Sequence, residues 1–441
     1  MQSKRMLISA LLLALISAIP LAGQSKVKEL LDQADTAFKD ENRALAEKLY
    51  RQVLELDPYQ SRAVYRLGQL SGNDEAALVW FLRYAKLEPD DAWGWVAVGD
   101  KSLRLGKAVE AKNAFAKAAG LEPKDSDIRE RLAGARLLAA PGIEPLVGYE
   151  RDSDANRTWR AGLGIDTAIR GGFRLGVRAW RASISDGFSS ARVDSAILRL
   201  EGRPSREVRT DLSFGLSRLG IPETSSWTTP VADLRLRWRK PDGGPAVDFR
   251  AQRMALGTTP LLVANQAMRN EARLTLELPL GALRARVGGR AGQIRTLVEE
   301  PNARLQGDAA LVLPFGWQGE VSIQYHRLGF SRATAAGYFA PQRVETIEGG
   351  TYWELGGDGR ASLAFDLGAG IQRLAEQEEL PGPWKLALRG WGRLAVDLAP
   401  GVQWRVEAEA YSAPFAPVGA VTTPNWRFFS VTTSLLLRLP G

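Results

Sequence analysis

Apolar and polar residues alternate along most of the C-terminal two thirds of this chain. In residues 234–239, two leucines and a tryptophan alternate strictly with three arginines. Successive side chains of a β-strand point to opposite faces, so this segment would have one apolar and one cationic face. The pattern recurs about sixteen times between residues 144 and 439, which is more two-sided strand than a water-soluble core of that length requires. We therefore expect a transmembrane antiparallel β-barrel of about 16 strands.

The connections between these runs also favour a barrel. Tight turns rich in glycine, proline and aspartate alternate with longer loops, which we place at 220–229, 257–267, 330–341, 374–382 and 414–425. Short turns at one end and long loops at the other are typical of outer-membrane barrels. The predicted strands are 145–151, 157–167, 172–184, 192–203, 206–219, 230–239, 244–256, 268–280, 282–296, 304–314, 317–329, 342–353, 360–373, 383–397, 402–413 and 426–439.

The alternation assigns each residue to the lipid face or the lumen face. Outward residues include Leu212, Phe214 and Leu216, and Leu274, Leu276 and Leu278. The candidate pore-lining residues are arginines: Arg174, Arg178, Arg235, Arg237, Arg239, Arg284, Arg286, Arg290, Arg389, Arg393 and Arg405. Inward acids such as Asp211, Glu277 and Asp366 leave two roles open, because they could neutralise these arginines or leave enough charge to select what passes. Tryptophans near strand ends are predicted at the membrane interfaces, namely Trp159, Trp238, Trp317, Trp353, Trp384 and Trp426.

Residues 24–140 instead show helical periodicity and a repeat. Pro89 and Pro123 end successive units and stand 34 positions apart (123 − 89), the period of a tetratricopeptide repeat. The third unit matches that repeat best, with the structural positions Trp95, Gly99, Ala111, Phe115 and Pro123. The middle unit is about three residues short and needs a tight turn near residues 71–74. A closing helix over 125–139 would cap the array, whose concave face would dock a partner protein.

The N-terminus has the features of a secretory signal. Lys4 and Arg5 precede an apolar stretch, and the small residues Ala22 and Gly23 follow it. We expect cleavage near Gly23 without a lipid anchor, since Gln24 stands where a lipidated cysteine would be. The predicted domains are therefore a signal peptide (1–23), repeats with a capping helix (24–140) and a barrel (141–441). The fold class is α + β, with a short helical solenoid followed by the barrel.

Composition limits the chemistry that the chain can perform. Its 441 residues include no cysteine and one histidine, which argues against metal sites, cofactors and histidine-based catalysis. We interpret His326 as a polar residue of the lumen wall. The mean hydropathy of -0.18 excludes a protein with many transmembrane helices. The net charge of +8 comes from arginines at alternate positions rather than in clusters, so we expect no nucleic-acid partner.

A short segment points to a family. Residues 337–343 have the sequence Gly-Tyr-Phe-Ala-Pro-Gln-Arg, including Gly337, Tyr338, Pro341 and Gln342. It resembles the Gly-Tyr-Tyr-Ser-Pro-Gln motif in the C-terminal barrel of the outer-membrane protein of the cellulose synthase operon. That resemblance implies an exopolysaccharide exporter with a signal peptide, periplasmic repeats and a sixteen-stranded barrel, an order also found in the poly-N-acetylglucosamine porin. The family carries many more repeats, and its serine is Ala340 here. The same residues would equally fit a loop folded over the pore mouth.

The expected function is export of an exopolysaccharide through the barrel, preferably an anionic one, because unpaired lumenal arginine would retard a cationic chain. Expected partners are outer-membrane lipid, the polysaccharide and, through the repeats, periplasmic or inner-membrane synthase proteins. The expected location is the outer membrane of a Gram-negative-type bacterium, with the repeats in the periplasm. A non-conducting anchor or assembly scaffold that presents the repeats is the alternative. An outer-membrane enzyme is not expected, since it would need a histidine near one rim and His326 falls within a strand.

Overall fold

A computed structural model describes residues 24–241, 243–316, 318–356, 359–376, 379–412 and 427–439. The predicted signal peptide lies outside these residues. The chain divides into two compact units between Arg136 and Leu137. Among the described residues, no helix is both long enough and apolar enough to cross a bilayer.

The first unit consists of antiparallel helix pairs, as the repeat predicts. Its helices are α1 (24–39), α2 (Arg43–Leu56), α3 (Ser61–Leu70), α4 (Asp74–Leu87), α5 (Ala92–Arg104), α6 (Ala108–Leu121) and α7 (Ser126–Ala139), whose last three residues belong to the second unit. The shortened middle unit has the tight turn that its length requires. Only three residues separate α3 from α4, and Asn73 caps α4 by accepting a hydrogen bond from the Ala76 backbone N–H at 2.8 Å.

Small residues let the paired helices approach closely. A Cβ atom added to Gly99 on α5 would lie 2.4 Å from Cε1 of Phe115 on α6, and one added to Gly68 would lie 2.8 Å from Cε1 of Phe81. Phe115 and Ala111 are fully buried in the seam. Trp95 is half-buried, and its indole Nε1 donates to the carbonyl of Pro89 at 2.9 Å. These glycine and aromatic positions therefore pack in the seams of the repeats.

The second unit is a closed antiparallel barrel of sixteen strands in sequential order. The strands are β1 (Gly142–Asp152), β2 (Arg157–Ile169), β3 (Phe173–Ser185), β4 (Ser190–Gly202), β5 (Val208–Ile221), β6 (Ser225–Arg239), β7 (Ala246–Ala255), β8 (Met268–Leu280), β9 (Leu283–Arg295), β10 (Asn302–Phe315), β11 (Gly319–Phe330), β12 (Arg343–Leu355), β13 (Ala361–Ala375), β14 (Lys385–Ala399), β15 (Val402–Ser412) and β16 (Arg427–Arg438). Pairing of β1 with β16 closes the sheet, so neither of these strands is left as an open edge.

The alternating faces lie as predicted. Leu216, Phe214 and Leu278 are each more than half exposed on the outer surface of the isolated chain, where lipid would cover them. Tyr149 and Trp159 pack on the outer face with ring centroids 4.7 Å apart, near the ends of β1 and β2. The predicted interface residues Trp317 and Trp426 lie outside the described residues.

One predicted long loop is wrong. The segment 220–229 is mostly strand, and only residues 222–224 separate β5 from β6. The strand predicted to begin at Pro230 begins instead at Ser225. Pro230 pairs with Leu216 of β5, whereas pairing of β6 with β7 begins only at Ala232. A proline is tolerated there because the ladder between β6 and β7 has ended before Pro230, so no hydrogen bond to β7 requires its missing N–H.

Another long loop contains a short helix that the sequence pattern did not predict. This helix, α8 (Pro260–Ala264), lies between β7 and β8. Thr259 caps its N-terminus, because its hydroxyl accepts a hydrogen bond from the Leu262 N–H at 3.2 Å.

Candidate functional site: the barrel lumen

The arginines of residues 234–239 all point into the barrel, and each has a carboxylate partner on another strand. Arg235 Nη2 lies 2.5 Å from Asp248 Oδ2, and Arg237 Nη2 lies 2.9 Å from Asp211 Oδ2. Arg239 Nη1 lies 3.0 Å from Glu277 Oε1. This segment thus contributes to an ion-pair network that joins neighbouring strands across the lumen wall.

Glu277 is the centre of one part of that network. Its nearly buried carboxylate accepts hydrogen bonds from Arg239, from Arg284 Nη1 at 3.1 Å and from Arg286 Nη2 at 3.0 Å. Arg284 Nη2 also lies 2.6 Å from Glu320 Oε2 on β11. Three guanidiniums share two carboxylates here, so one local positive charge remains after pairing.

Glu271 forms a second centre, nearer the long-loop end. Arg304 Nη1 lies 2.7 Å from Glu271 Oε2, and Arg290 Nη1 lies 3.4 Å from Oε1. Arg269 Nε lies 3.5 Å from the same carboxylate, and the side chains of Arg269, Arg304 and Glu271 are each only 5% exposed. Arg269, Arg304 and Glu271 were not among the predicted pore residues, although their alternation with apolar neighbours was the signal that could have revealed them.

Two further acids, Glu144 and Asp166, form ion pairs at the short-turn end of the lumen. Glu144 receives Arg178 Nη2 at 2.8 Å and Arg405 Nη1 at 3.4 Å, which links β1 to β3 and β15. Arg174 contacts the Asp166 carboxylate through both Nε and Nη2. These pairs make the predicted pore residues Arg174, Arg178 and Arg405 part of the wall network.

The remaining predicted arginines lie on β14. Arg389 Nε lies 2.7 Å from Glu348 Oε1, and its Nη1 lies 2.8 Å from Asp366 Oδ2. Arg393 has no carboxylate within ion-pair distance in the part of the chain that the structure describes, and its guanidinium lies 5.8 Å from the centre of the Trp391 ring. Carboxylates therefore neutralise most of the predicted lumenal arginines, but not all of them.

Positive charge is concentrated in one lumenal cavity of about 650 Å³. Eight arginines and three carboxylates line it. Four of these arginines also pair with carboxylates outside the lining, namely Asp211, Asp233, Asp308 and Glu320. Arg250 and Arg273 belong to this lining, together with Glu277, Glu271 and most of the arginines around them. Such a cavity, with low-dielectric walls, concentrates the field and raises the local concentration of anions.

Apolar residues cover part of the lumen at the long-loop end. Leu262 of α8 is fully buried in a cluster with inward residues such as Ile294, Leu328 and Phe330. On its other side, Val263 of α8 packs in a second cluster with residues of β3, β4 and β5. The helix thus bridges inward-facing residues from two parts of the wall, and together with residues 331–342 it forms a structure that we call the mouth plug.

The segment that suggested a family is part of this plug. Gly337 has a φ of +96°, and a Cβ atom there would lie 2.7 Å from Cδ2 of Leu261. Tyr338 is 5% exposed, and its ring centroid lies 6.0 Å from that of Phe330. Burial raises the pKa of the Tyr338 hydroxyl. Asn265 Nδ2 donates to the Ala336 carbonyl at 2.9 Å and joins this segment to the end of α8. Pro341 is also buried, whereas Gln342 is exposed.

These features define a class of protein. An apolar outer surface, an ionic lumen and closure of all sixteen strands are the properties of an outer-membrane β-barrel, and this barrel follows tetratricopeptide-type helix pairs. No protein-family model and no curated protein sequence matches the chain.

Solved structures match parts of the chain at low sequence identity. A bacterial polysaccharide outer membrane secretin is 9% identical, with a TM-score of 0.48 over 68% of this chain and 99% of its own. CdiB from Acinetobacter baumannii is also 9% identical, with a TM-score of 0.38 over 67% of this chain and 60% of its own. A MamA protein is 18% identical, with a TM-score of 0.24 over 25% of this chain and 66% of its own.

Proposed function

We propose that this protein exports an anionic polysaccharide across the outer membrane, with its repeats in the periplasm. The observation that carries the proposal is the lumenal cavity, in which eight arginines outnumber three carboxylates. Guanidiniums bind carboxylate and phosphate groups in planar, bidentate geometry. A polymer that bears such groups at intervals would therefore find successive weak sites along the lumen.

Inward aromatic residues provide a second type of contact. Trp180, Tyr352, Trp391 and Tyr411 occupy lumen-facing positions of β3, β12, β14 and β15. Their rings offer flat apolar faces to sugar rings. Several weak contacts favour movement over tight retention, since each leaves only a small barrier to the next. The polymer would be driven by its synthase at the inner membrane, and the repeats would dock proteins of that machinery.

The test is conductance of the full-length protein in planar bilayers. We expect ion conductance that acidic oligosaccharides block and basic oligosaccharides do not. The double variant Arg250→Gln/Arg273→Gln should weaken that block about tenfold, because two charges leave the cavity. Arg181→Gln, which removes an exposed outward charge, is the matched control and should change nothing. A barrel that conducts under no condition, even after deletion of residues 331–342, contradicts transport.

The mouth plug supports a second candidate. If α8 and residues 331–342 keep the lumen closed, the barrel would act as a non-conducting anchor that presents the repeats to an assembly. Deletion of residues 25–140 would then abolish a periplasmic complex, while the intact protein would show no pore. Export instead predicts that the intact protein conducts or is opened by polymer.

A further inference from the structure

The outer surface of the barrel is electrically asymmetric. Within the described strands, charged residues on the outward face are confined to the end that carries the long loops. Outward positions at the short-turn end are uncharged, as in Leu278, Leu313 and Leu398, which are 51%, 41% and 58% exposed. Lipid requires an apolar band of this kind on the outer surface. At the long-loop end, by contrast, the outward face carries charged residues.

One outward arginine lies within five residues of the long-loop end in each of β1–β5, β7, β9, β11–β13 and β16. Examples are Arg181, Arg192, Arg218 and Arg327, which are all exposed. Only two carboxylates share the outward face of these strands, Asp194, which pairs with Arg181 at 2.6 Å, and Glu345, which pairs with Arg373 at 2.6 Å. We call this ring of outward arginines the arginine belt.

The belt lies at the height of lipid headgroups. A strand of 13 residues, such as β2, tilted by about 40° spans roughly 33 Å along the barrel axis. The apolar band of such a barrel is about 25 Å tall, so roughly 8 Å remains for an interfacial layer. The uncharged short-turn end accounts for the apolar band, and the arginines fall in the layer that remains.

The belt is densest where the barrel closes. Arg151 of β1 stands directly opposite Arg157 of β2 on the same face, an arrangement in which like charges repel. Arg427 of β16 lies beside them. Its backbone carbonyl accepts a hydrogen bond at 3.0 Å from the backbone N–H of Ser153, which follows Arg151 by two residues. Among the described residues, none of these three arginines has a carboxylate within ion-pair distance. An external anion would relieve this repulsion.

The three arginines stand above an aromatic patch that fits a membrane interface. Tyr149 and Trp159 lie two positions nearer the bilayer centre on β1 and β2, and Phe429 lies likewise on β16. Trp159 is 60% exposed and Phe429 is 47% exposed on the outer surface. Aromatic rings at headgroup depth next to cations provide a site with an apolar floor for acyl chains and a cationic rim for phosphate.

We propose that the arginine belt binds the phosphate groups of anionic lipid headgroups in the leaflet at the long-loop end, and that Arg151, Arg157 and Arg427 form its principal site. This binding surface is independent of transport through the lumen. Phosphates on neighbouring lipids repel one another. Bidentate guanidinium contacts would offset that repulsion and hold an ordered shell of phosphorylated lipid around the barrel.

The test is native mass spectrometry of the full-length protein in detergent, titrated with a bis-phosphorylated glucosamine lipid. We expect bound lipid to be retained, and binding to weaken about tenfold when the lipid is dephosphorylated or the protein carries Arg151→Gln/Arg157→Gln. The variant Arg151→Lys/Arg157→Lys, which keeps both charges, should retain most of the binding. The control Arg199→Gln/Arg209→Gln removes two inward charges and should bind as the unaltered protein does.

Three outcomes overturn the proposal. Dephosphorylated lipid could bind equally well, the control could lose as much binding as the belt variant, or the bis-phosphorylated sugar without acyl chains could bind as tightly as the lipid. The last outcome would indicate a site for a soluble anion instead of a membrane headgroup. Heat-dependent mobility on denaturing gels shows that each variant is a folded barrel, so that loss of binding is not loss of structure.

Discussion

His326 and Asp308 face each other across neighbouring strands, with His326 Nδ1 2.7 Å from Asp308 Oδ1. On the other side of the ring, Nε2 lies 3.8 Å from Glu348 Oε1 of β12. The single histidine of the chain thus connects three consecutive strands of the wall, and its side chain is 18% exposed. This arrangement agrees with a polar wall residue that faces the lumen, as the alternation predicts.

Replacing this histidine should weaken the barrel. His326→Ala leaves the nearly buried carboxylates of Asp308 and Glu348 without a donor between them, at a cost of about 1 to 3 kcal/mol. The temperature at which the folded barrel loses its fast gel mobility should fall. His326→Gln, which keeps an N–H donor, should restore part of that loss. An unchanged transition temperature in His326→Ala would contradict a structural role.

Removing the carboxylate of Glu277 should increase anion selectivity. Glu277→Gln keeps the shape of the side chain but leaves Arg239, Arg284 and Arg286 with one fewer negative charge. The reversal potential measured in a salt gradient should shift further toward anions, and the barrel should lose about 3 kcal/mol because a nearly buried charge network is broken. Glu201→Gln, which removes a more exposed acid paired with Arg199, is the control and should have a smaller effect. Equal shifts in both variants would show that the position of Glu277 is unimportant.

A methyl group at Gly337 should open the mouth plug. The substitution Gly337→Ala places a Cβ atom 2.7 Å from Leu261 and forces alanine into a left-handed backbone conformation. We expect a higher single-channel conductance or a larger fraction of time open. Gly281→Ala also meets a positive φ, but nothing lies within 4 Å of the added Cβ. This control therefore carries the backbone strain without the clash, and conductance as high as that of Gly337→Ala would argue against the plug.

The repeats should lose stability at alkaline pH. Burial, and then the hydrogen bond of its hydroxyl to Asp35 at 2.6 Å, raise the pKa of Tyr50 above its ordinary value of 10.0. Burial and a bond to Asp91 act in the same way on the pKa of Tyr84. A raised pKa favours the neutral phenol, so this contribution is complete below pH 10 and is lost as the pH rises toward the folded-state pKa.

The measurement is thermal unfolding of the helical signal between pH 8 and pH 11. Tyr50→Phe should lower stability by about 1 kcal/mol at pH 8, because the hydrogen bond is lost, and should reduce the additional loss at pH 11. Tyr59→Phe, at a residue that is 77% exposed, is the control. The same pH dependence in Tyr50→Phe and the unaltered protein would refute this assignment.

Strand faces could be predicted from the sequence because alternation leaves only two choices for each residue. Once Leu234 and Leu236 are placed toward lipid, the arginines between them must face the lumen. The carboxylate partners of these arginines were harder to predict. Arg235 pairs with Asp248, and this contact depends on the register between β6 and β7, which no local pattern specifies.

The mouth plug could not be predicted for a similar reason. Residues 260–264 have no periodicity of their own, and α8 is positioned by contacts that its residues make far along the chain, such as that between Leu261 and Gly337. The repeats were easier to predict from the sequence, because each helix packs mainly on the helices next to it in the chain.

The pairing of β1 with β16 has a consequence for how this protein folds. Gly142 and Arg438 are partners in the sheet although almost the whole barrel lies between them in sequence. Every other strand pair joins consecutive segments, so hairpins can form early, while this last contact must wait for the complete chain. Forming it costs only a few kcal/mol more than closing a hairpin, because loop entropy grows slowly with length. Until it forms, two unpaired edges are exposed to water or hydrocarbon, and a chain that lacks β16 would retain both as sites for aggregation.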